Sequence, residues 1–264
     1  METSEKRLVV KVGTSTITNE NGEPDLRTID KLAQVLSAVH NLGYDVILVS
    51  SGAIAVGVNK MRLAQRPKEL RMKQATAAVG QCELMHLYDK CFGEYGNTVA
   101  QILLTSDDIA DTEKRTNLKN TFSALLENRI IPVVNENDSV SFTEIESPKK
   151  VFGDNDGLSS LVALLCGASK LIIMSDIEGL YDKNPADHAD ANLIHQVDDV
   201  TDDIIALADG SGSNRGRGGM ITKLEAAKTA TSNGIDMHII MGKHPENLYD
   251  VLDGKERGTW FKAK

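Results

Sequence analysis

Residues 8–15 read LVVKVGTS, and this stretch decides the class of fold. Its first five residues are aliphatic apart from Lys11, and such a run is too short for a helix and lacks the alternation of a half-buried strand. We therefore predict a strand buried on both faces, as is typical of parallel sheets covered by helices. Similar runs recur along the chain at 46–49, 99–104, 130–134, 171–174 and 237–241.

Apolar residues return at helical spacing between these runs. In 29–42 they fall at Leu32, Val35, Leu36 and Val39, and a glycine, a common helix stop, follows at position 43. Comparable stretches occur at 71–91, 117–127, 158–165 and 221–232. Strands and helices that alternate in this way predict an α/β fold, with an open, mainly parallel sheet sandwiched between helices in a single domain over residues 1–264.

Composition excludes several classes of function. The formal net charge of −9 argues against a general nucleic-acid binder, which needs a basic face. No apolar stretch approaches the roughly 20 residues that cross a bilayer, so no membrane association is predicted. Three scattered cysteines without CxxC spacing indicate a reduced, cytoplasmic protein. The six histidines never adopt metal-ligand spacing, so we predict no protein-bound metal.

Polar segments follow several of the apolar runs directly. In open α/β sheets ligands bind beyond the carboxyl ends of the strands, so these segments are the candidate site. They are 13–15 (GTS), 50–53 (SSGA), 135–138 (NEND) and 175–185 (SDIEGLYDKNP). Each has a purely structural alternative. Lys11, beside 13–15, could simply be solvated, and 50–53 could be a tight turn. Residues 135–138 could be an Asx-rich turn, and 175–185 a plain connection.

Two further segments precede predicted helices. Residues 153–156 (GDND) open an apolar helix, and the glycine-rich residues 210–219 lead into a helix that carries Lys223. Glycines before a helix start leave free N–H groups that suit phosphate, although an N-cap and a loop without a role are the alternatives. Acidic clusters with isolated lysines predict a site for a zwitterion and phosphates. Neither GxxxxGK[ST] nor a GxGxxG after the first strand is present.

Taken together, these segments resemble the amino-acid kinase family, and within it the glutamate 5-kinases. The resemblance implies ATP-dependent phosphorylation of the γ-carboxylate of L-glutamate, which opens proline biosynthesis. The alternatives are another family member, acting on acetylglutamate or aspartate, and a non-catalytic amino-acid sensor. The matching motifs are VVKVGTS at 9–15, SSGAIAVG at 50–57, AAVGQ at 77–81, QILLT at 101–105, PVVNEND at 132–138, FGDND at 152–156, SDIEGLYDKNP at 175–185 and GGMITKLEAA at 218–227.

The resemblance assigns roles to residues at the matching positions. It implies that Lys11 and Lys223 contact the transferring phosphoryl group and that Asp156 holds both lysines. The implied glutamate contacts are Ser51, Gly52, Ala53, Asp138, Asp154 and Asn155. The implied ATP contacts are Lys11, Gly13, Ser175, Asp176, Arg217, Gly218, Gly219, Met220 and Lys223. Magnesium is expected to bind through the nucleotide phosphates.

The resemblance also sets expectations for the rest of the protein. Residues up to about 165 are expected to bind glutamate and residues from about 166 to 264 to bind ATP. Proline is the expected feedback inhibitor, glutamate-5-semialdehyde dehydrogenase the functional partner, and a dimer or tetramer the assembly. The match covers a kinase domain without the C-terminal PUA-type domain of many bacterial relatives. Two departures are Arg217, where many relatives have threonine, and a longer segment over 141–153.

Overall fold

The computed structural model describes residues 4–140, 155–209 and 217–264. All six predicted strands are present, and each lies within two residues of its predicted start except the first and fifth, which begin earlier. The strands are β1 (Ser4–Val12), β2 (Asp45–Val49), β3 (Val99–Leu104), β4 (Ile131–Glu136), β5 (Ala168–Ser175), β6 (Leu180–Tyr181), β7 (Leu193–Ile194), β8 (Gln196–Val197), β9 (Asp236–Met241) and β10 (Thr259–Phe261).

Eight of these strands form one sheet in the order β3-β4-β2-β1-β5-β9-β10-β8. Every pair from β3 to β9 is parallel, and only the pairing of β10 with β9 is antiparallel. β1 lies at the centre, where Leu8 pairs with Val46 on one side and Lys170 on the other. The predicted open, mainly parallel sheet is therefore confirmed.

The helices include all five that the periodicity predicts. They are α1 (Thr14–Ile17), α2 (Leu26–Asn41), α3 (Ala53–Lys60), α4 (Leu70–Glu94), α5 (Ser106–Ala110), α6 (Thr112–Glu127), α7 (Asn155–Cys166), α8 (Asp202–Asp209), α9 (Arg217–Thr231) and α10 (Asn247–Leu252). The glycine at position 43 adopts φ +92° directly after α2, as the predicted helix stop requires. None of the described helices combines the length and apolar character needed to cross a bilayer.

Alternate residues of the central strand point into two separate cores. Val9 packs into a core built with α6, α7 and α9, whereas Val10 packs into a core built with α2 and α4 on the other face. Both residues are completely buried. This explains why β1 reads as a continuous apolar run, and it places helices on both faces of the sheet as predicted.

The edge of the sheet was not predicted. β8 and β10 have two and three residues, and β6 and β7 form a separate two-stranded ladder. Strands of this length are too short to show a hydrophobic period. The start of α6 was also predicted late, because its first turns are polar and begin at Asp111, whose carboxylate accepts from the Lys114 N–H at 2.9 Å.

Candidate active site

Four neighbouring strands bring polar residues to the carboxyl ends of the central strands. β4, β2, β1 and β5 are adjacent and parallel, so their carboxyl ends lie side by side. A cavity of about 890 Å³, the main cavity, opens at these carboxyl ends. Its lining includes nine of the predicted site residues: Lys11, Gly13, Ser51, Asn155, Ser175, Asp176, Gly219, Met220 and Lys223.

Two lysines share one carboxylate beside the main cavity. Asp156, in the first turn of α7, is 0% exposed. Its Oδ1 lies 2.6 Å from Nζ of Lys11 at the end of β1, and its Oδ2 lies 3.0 Å from Nζ of Lys223 on α9. We call these three residues the ion cluster. Two ammonium groups against one carboxylate leave an excess of positive charge facing the cavity, which suits a ligand that is anionic or becomes more so.

The ionised state of Asp156 depends on this pairing. Burial by itself raises the pKa of the carboxyl group, but the ammonium groups of Lys11 and Lys223 outweigh it and hold the pKa below the ordinary value of 3.8. An ionised carboxylate without those partners would be strongly disfavoured in the interior. The cluster is therefore a mutually dependent unit.

The start of α9 adds two contacts to the ion cluster. The hydroxyl of Thr222 lies 3.1 Å from Oδ2 of Asp156 and 3.1 Å from the carbonyl oxygen of Gly219. Nζ of Lys223 donates to the same carbonyl oxygen at 3.0 Å. The glycine-containing first turn thus uses its own carbonyl group to hold the Lys223 side chain against Asp156.

A turn with a left-handed glycine follows β2 and begins α3. Gly52 has φ +94°, a left-handed conformation that residues with a Cβ rarely adopt. At Gly80 of α4 a Cβ would overlap the carbonyl oxygen of Ala53, so only glycine lets the two helices approach so closely. The hydroxyl groups of Ser50 and buried Tyr88 lie 2.8 Å apart and tie the turn to α4. Both contacts therefore hold the turn against α4.

Asn155 joins this turn to the end of β4. Its Nδ2 lies 2.6 Å from the carbonyl oxygen of Ser50, 2.9 Å from Oγ of Ser51 and 2.9 Å from Oδ1 of Asn135. Helix α7 thus begins with two consecutive side chains of different function. Asn155 contacts neutral groups, while the next residue is the carboxylate of the ion cluster.

The other side of the main cavity is largely apolar. Ser175 ends β5; its hydroxyl donates to Oδ1 of Asp176 at 3.1 Å, and its carbonyl oxygen accepts from the N–H of Gly242 at 2.6 Å. Beyond these residues the wall has the apolar character that suits a flat heteroaromatic ring. The apolar lining residues are Met174, Ile177, Leu180, Tyr181, Leu207 and Met220.

The sequence and the fold of this chain are similar to those of known proteins. Residues 6–241 match the Amino acid kinase family. The chain belongs to this family. Among its relatives, a glutamate 5-kinase of Clostridium perfringens is 54% identical over 259 residues, which are 98% of this chain and 96% of that protein. A glutamate 5-kinase of Listeria monocytogenes is 50% identical over 259 residues, which are 98% of this chain and 94% of that one.

Solved structures of other kinases share the fold. The carbamate kinase from Giardia lamblia bound to AMP-PNP superimposes with a TM-score of 0.69 at 16% identity, covering 99% of each chain. The isopentenyl phosphate kinase of T. acidophilum superimposes with a TM-score of 0.66 at 17% identity, covering 97% of this chain and 99% of the other. At these identities the likeness establishes the architecture alone.

In this amino acid kinase, the residues expected to contact glutamate are divided between two cavities. Ser51 and Asn155 line the main cavity, whereas Ala53 and Asp138 line a second cavity of about 380 Å³. Gly52 lies between them as the N-cap of α3. Asp154 lies outside the described residues.

The expected nucleotide residues lie together at the start of α9 and the end of β5. Arg217 and Gly218 occupy the first turn of α9, directly before Gly219 and Met220 at the cavity wall. The longer segment over 141–153, named above as a departure from the family pattern, lies outside the described residues.

Several residues of this kinase site were missed by sequence reasoning. Thr222 contacts the expected site residue Asp156. Tyr88 and Gln81 contact Ser50 and Asn135, which lie in the candidate segments 50–53 and 135–138. None of the three was chosen as a candidate. Thr222 and Gln81 lie inside the family motifs at 218–227 and 77–81, but the resemblance assigns no role to either residue. Tyr88 belongs to the apolar period of α4 and is indistinguishable in sequence from a core aromatic residue.

Proposed function

We propose that this amino acid kinase is an ATP-dependent glutamate 5-kinase. It transfers the γ-phosphoryl group of ATP to the γ-carboxylate of L-glutamate and forms L-glutamyl 5-phosphate. The observation that carries the proposal is the ion cluster beside the main cavity, in a chain that is 54% identical to a glutamate 5-kinase over nearly its whole length.

The chemistry of the acceptor fits a site without a general base. A glutamate side chain has an unperturbed pKa of about 4.3, so its carboxylate is already ionised at neutral pH. Catalysis then consists of aligning the acceptor with the γ-phosphorus and offsetting the charge that grows on the transferring group. Lys11 and Lys223, both lining the cavity, supply that positive charge, and Asp156 holds their ammonium groups in place.

The two substrates bind to different halves of the domain. Residues before about 165 bind glutamate through Ser51, Asn155 and the turn that starts α3, with Asp138 and Asp154 as further carboxylates for its ammonium group. Residues after about 166 bind ATP. Ser175, Asp176 and the start of α9 contact the phosphates, and the apolar wall receives the purine.

Magnesium enters with the nucleotide. Within residues 4–140, 155–209 and 217–264 no cluster of three or more histidine, cysteine or acidic residues is arranged to hold a metal. Asp156 is engaged by the two lysines, and the carboxylates in the cavity lining are Asp176 and Glu20. The donors present therefore fit an ion held mainly by phosphate oxygens, which neutralises part of the phosphate charge when bound.

The biological setting follows from the product. An acyl phosphate is labile, and we propose that glutamate-5-semialdehyde dehydrogenase consumes it in proline biosynthesis. We further propose proline as a feedback inhibitor, a dimer or tetramer as the assembly, and the cytoplasm as the location.

The reaction is tested by trapping its product. The purified protein is incubated with ATP, magnesium and hydroxylamine, with glutamate, aspartate, N-acetylglutamate or carbamate in parallel and ADP formation as a second readout. We expect hydroxamate from glutamate alone. Turnover of another acceptor would reassign the substrate, and ATP binding without turnover of any acceptor would favour a sensor.

A further inference from the structure

A chain of side-chain amides connects the main cavity to the second cavity. Nδ2 of Asn155 donates to Oδ1 of Asn135, Nδ2 of Asn135 donates to Oε1 of Gln81 at 2.9 Å, and Nε2 of Gln81 donates to Oε1 of Gln101 at 3.2 Å. We call these four residues the amide chain. Asn155 lines the main cavity, and the two glutamines line the second.

Two backbone groups fix the direction of the amide chain. The N–H of Glu136 lies 2.9 Å from Oδ1 of Asn135, and because an N–H can only donate, that atom must be the oxygen. The carbonyl oxygen of Ser50 lies 2.6 Å from the terminal atom of Asn155, which must therefore be the nitrogen. The orientations of Asn135 and Asn155 are then fixed, and Nδ2 of Asn135 must face Gln81.

In this orientation the buried amide of Asn135 needs Gln81 as its acceptor. Asn135 is 2% exposed and Gln81 is 9% exposed, so water has little access to either amide. The N–H group of Asn135 that faces Gln81 needs an acceptor there, because a buried donor without a partner is costly. If Oε1 of Gln81 were absent, Asn135 would keep a buried donor without an acceptor, and flipping it would place its NH₂ group against both the Glu136 N–H and the Asn155 NH₂. Neither orientation would then satisfy Asn135, and Asn155 would be held less firmly.

The orientation decides what Asn155 offers to a ligand. Its Nδ2 faces three acceptors at the end of β2 and β4, so within the described part of the chain Oδ1 is the polar atom of that side chain left for a ligand. An amide oxygen accepts hydrogen bonds and therefore favours a donor such as an ammonium group.

We propose that Gln81 is a positioning residue for the amino-acid substrate. Resting on the proposed function, it acts through Asn135 to hold Asn155 with its amide oxygen available to the ammonium group of glutamate. Gln81 takes no part in phosphoryl transfer, so its loss weakens glutamate binding and leaves ATP binding and the chemical step intact.

The test compares a variant without the acceptor with one that keeps it. Gln81→Met preserves length but removes Oε1, and we expect KM for glutamate to rise roughly five- to tenfold with KM for ATP and kcat within about twofold. Gln81→Glu keeps an oxygen toward Asn135, and its KM for glutamate should stay within about twofold of the parent. An equal rise in both variants, or an unchanged KM in Gln81→Met, would overturn the proposal.

A double variant separates positioning from direct contact. If Gln81 acts through Asn135, adding Gln81→Met to Asn135→Ala should raise KM for glutamate no further, whereas additive losses would mean that Gln81 contacts the substrate itself. Calorimetric titration with glutamate, normalised to the folded fraction, gives the same answer if a variant is unstable. A parent protein that fails to phosphorylate glutamate would instead refute the proposed function.

Discussion

The ion cluster and the amide chain meet at adjacent residues, and they hold buried polar groups in different ways. Asp156 belongs to the first and Asn155 to the second, both in the first turn of α7. Asp156 is held by two opposite charges, at 2.6 and 3.0 Å, whereas Asn155 is held by neutral groups at 2.6 to 2.9 Å. Both regions place a buried polar group at the edge of a cavity.

The difference lies in what each region loses when a member is removed. A buried charge without its partner is strongly destabilising, because the interior screens it poorly. A buried amide without its partner costs the desolvation of one neutral group, which is a smaller amount. The ion cluster should therefore dominate stability and rate, and the amide chain should tune substrate affinity.

Removing the shared carboxylate tests the first half of this comparison most severely. Asp156→Asn leaves two buried ammonium groups facing each other, and we expect a loss of about 3–5 kcal/mol in the free energy of unfolding. Denaturant unfolding measures it, with Asp253→Asn as the control because its carboxylate is 63% exposed and pairs with Lys255 at the surface. Equal losses in the two variants would remove the special role of Asp156.

Removing one of the lysines should affect the rate more than the fold. In Lys223→Ala, Lys11 still pairs with Asp156, so we expect kcat to fall about a hundred- to a thousandfold while the protein stays folded. Lys228→Ala, on the exposed side of the same helix, is the matched control and should retain the parent rate. A Lys223→Ala enzyme as fast as that control would exclude Lys223 from the mechanism.

The pH dependence of stability sharpens the comparison. Because the pKa of Asp156 lies below 3.8 in the folded protein, its contribution is fully present above the pKa of the unfolded chain and is lost as the pH falls through the folded value. The stability gap between the parent and Asp156→Asn should be constant from pH 7 to about 5 and shrink in more acidic buffer. Unfolding curves at several pH values measure it; a gap that begins to close near neutrality would contradict this account.

The neutral side of the site should give the smallest effect. Tyr88→Phe removes the partner of the Ser50 hydroxyl in the turn before α3, and we expect about 1 kcal/mol of lost stability. Tyr95→Phe, near the end of the same helix, loses only an exposed contact with Asp30 and serves as the control. Thermal unfolding distinguishes the two, and a loss as large as that in Asp156→Asn would erase the distinction between charged and neutral regions.

Local pattern was sufficient for the central fold and insufficient for its edge. β1 and β9 contain the mainly apolar runs 8–12 and 237–241, and α2 has its apolar period followed closely by a glycine, so each could be predicted from neighbouring residues alone. β10 exists because β9 offers it a sheet edge to pair with, and β8 pairs in turn with β10; no local period marks either strand. The same distinction applies to Tyr88, whose apolar surroundings concealed its hydrogen bond.

The sequence by itself determined the alternation of strands and helices, the charge balance and a set of polar segments at predicted strand ends. These properties depend on residues near one another in the chain. Only the tertiary structure decided the distances at which Lys11 and Lys223 share the carboxylate of Asp156. It also decided that Asn155 is connected to Gln81 through Asn135. Hydrogen bonds and ion pairs depend on distances of about 3 Å between atoms of distant segments, and the packing of the sheet and its helices sets those distances.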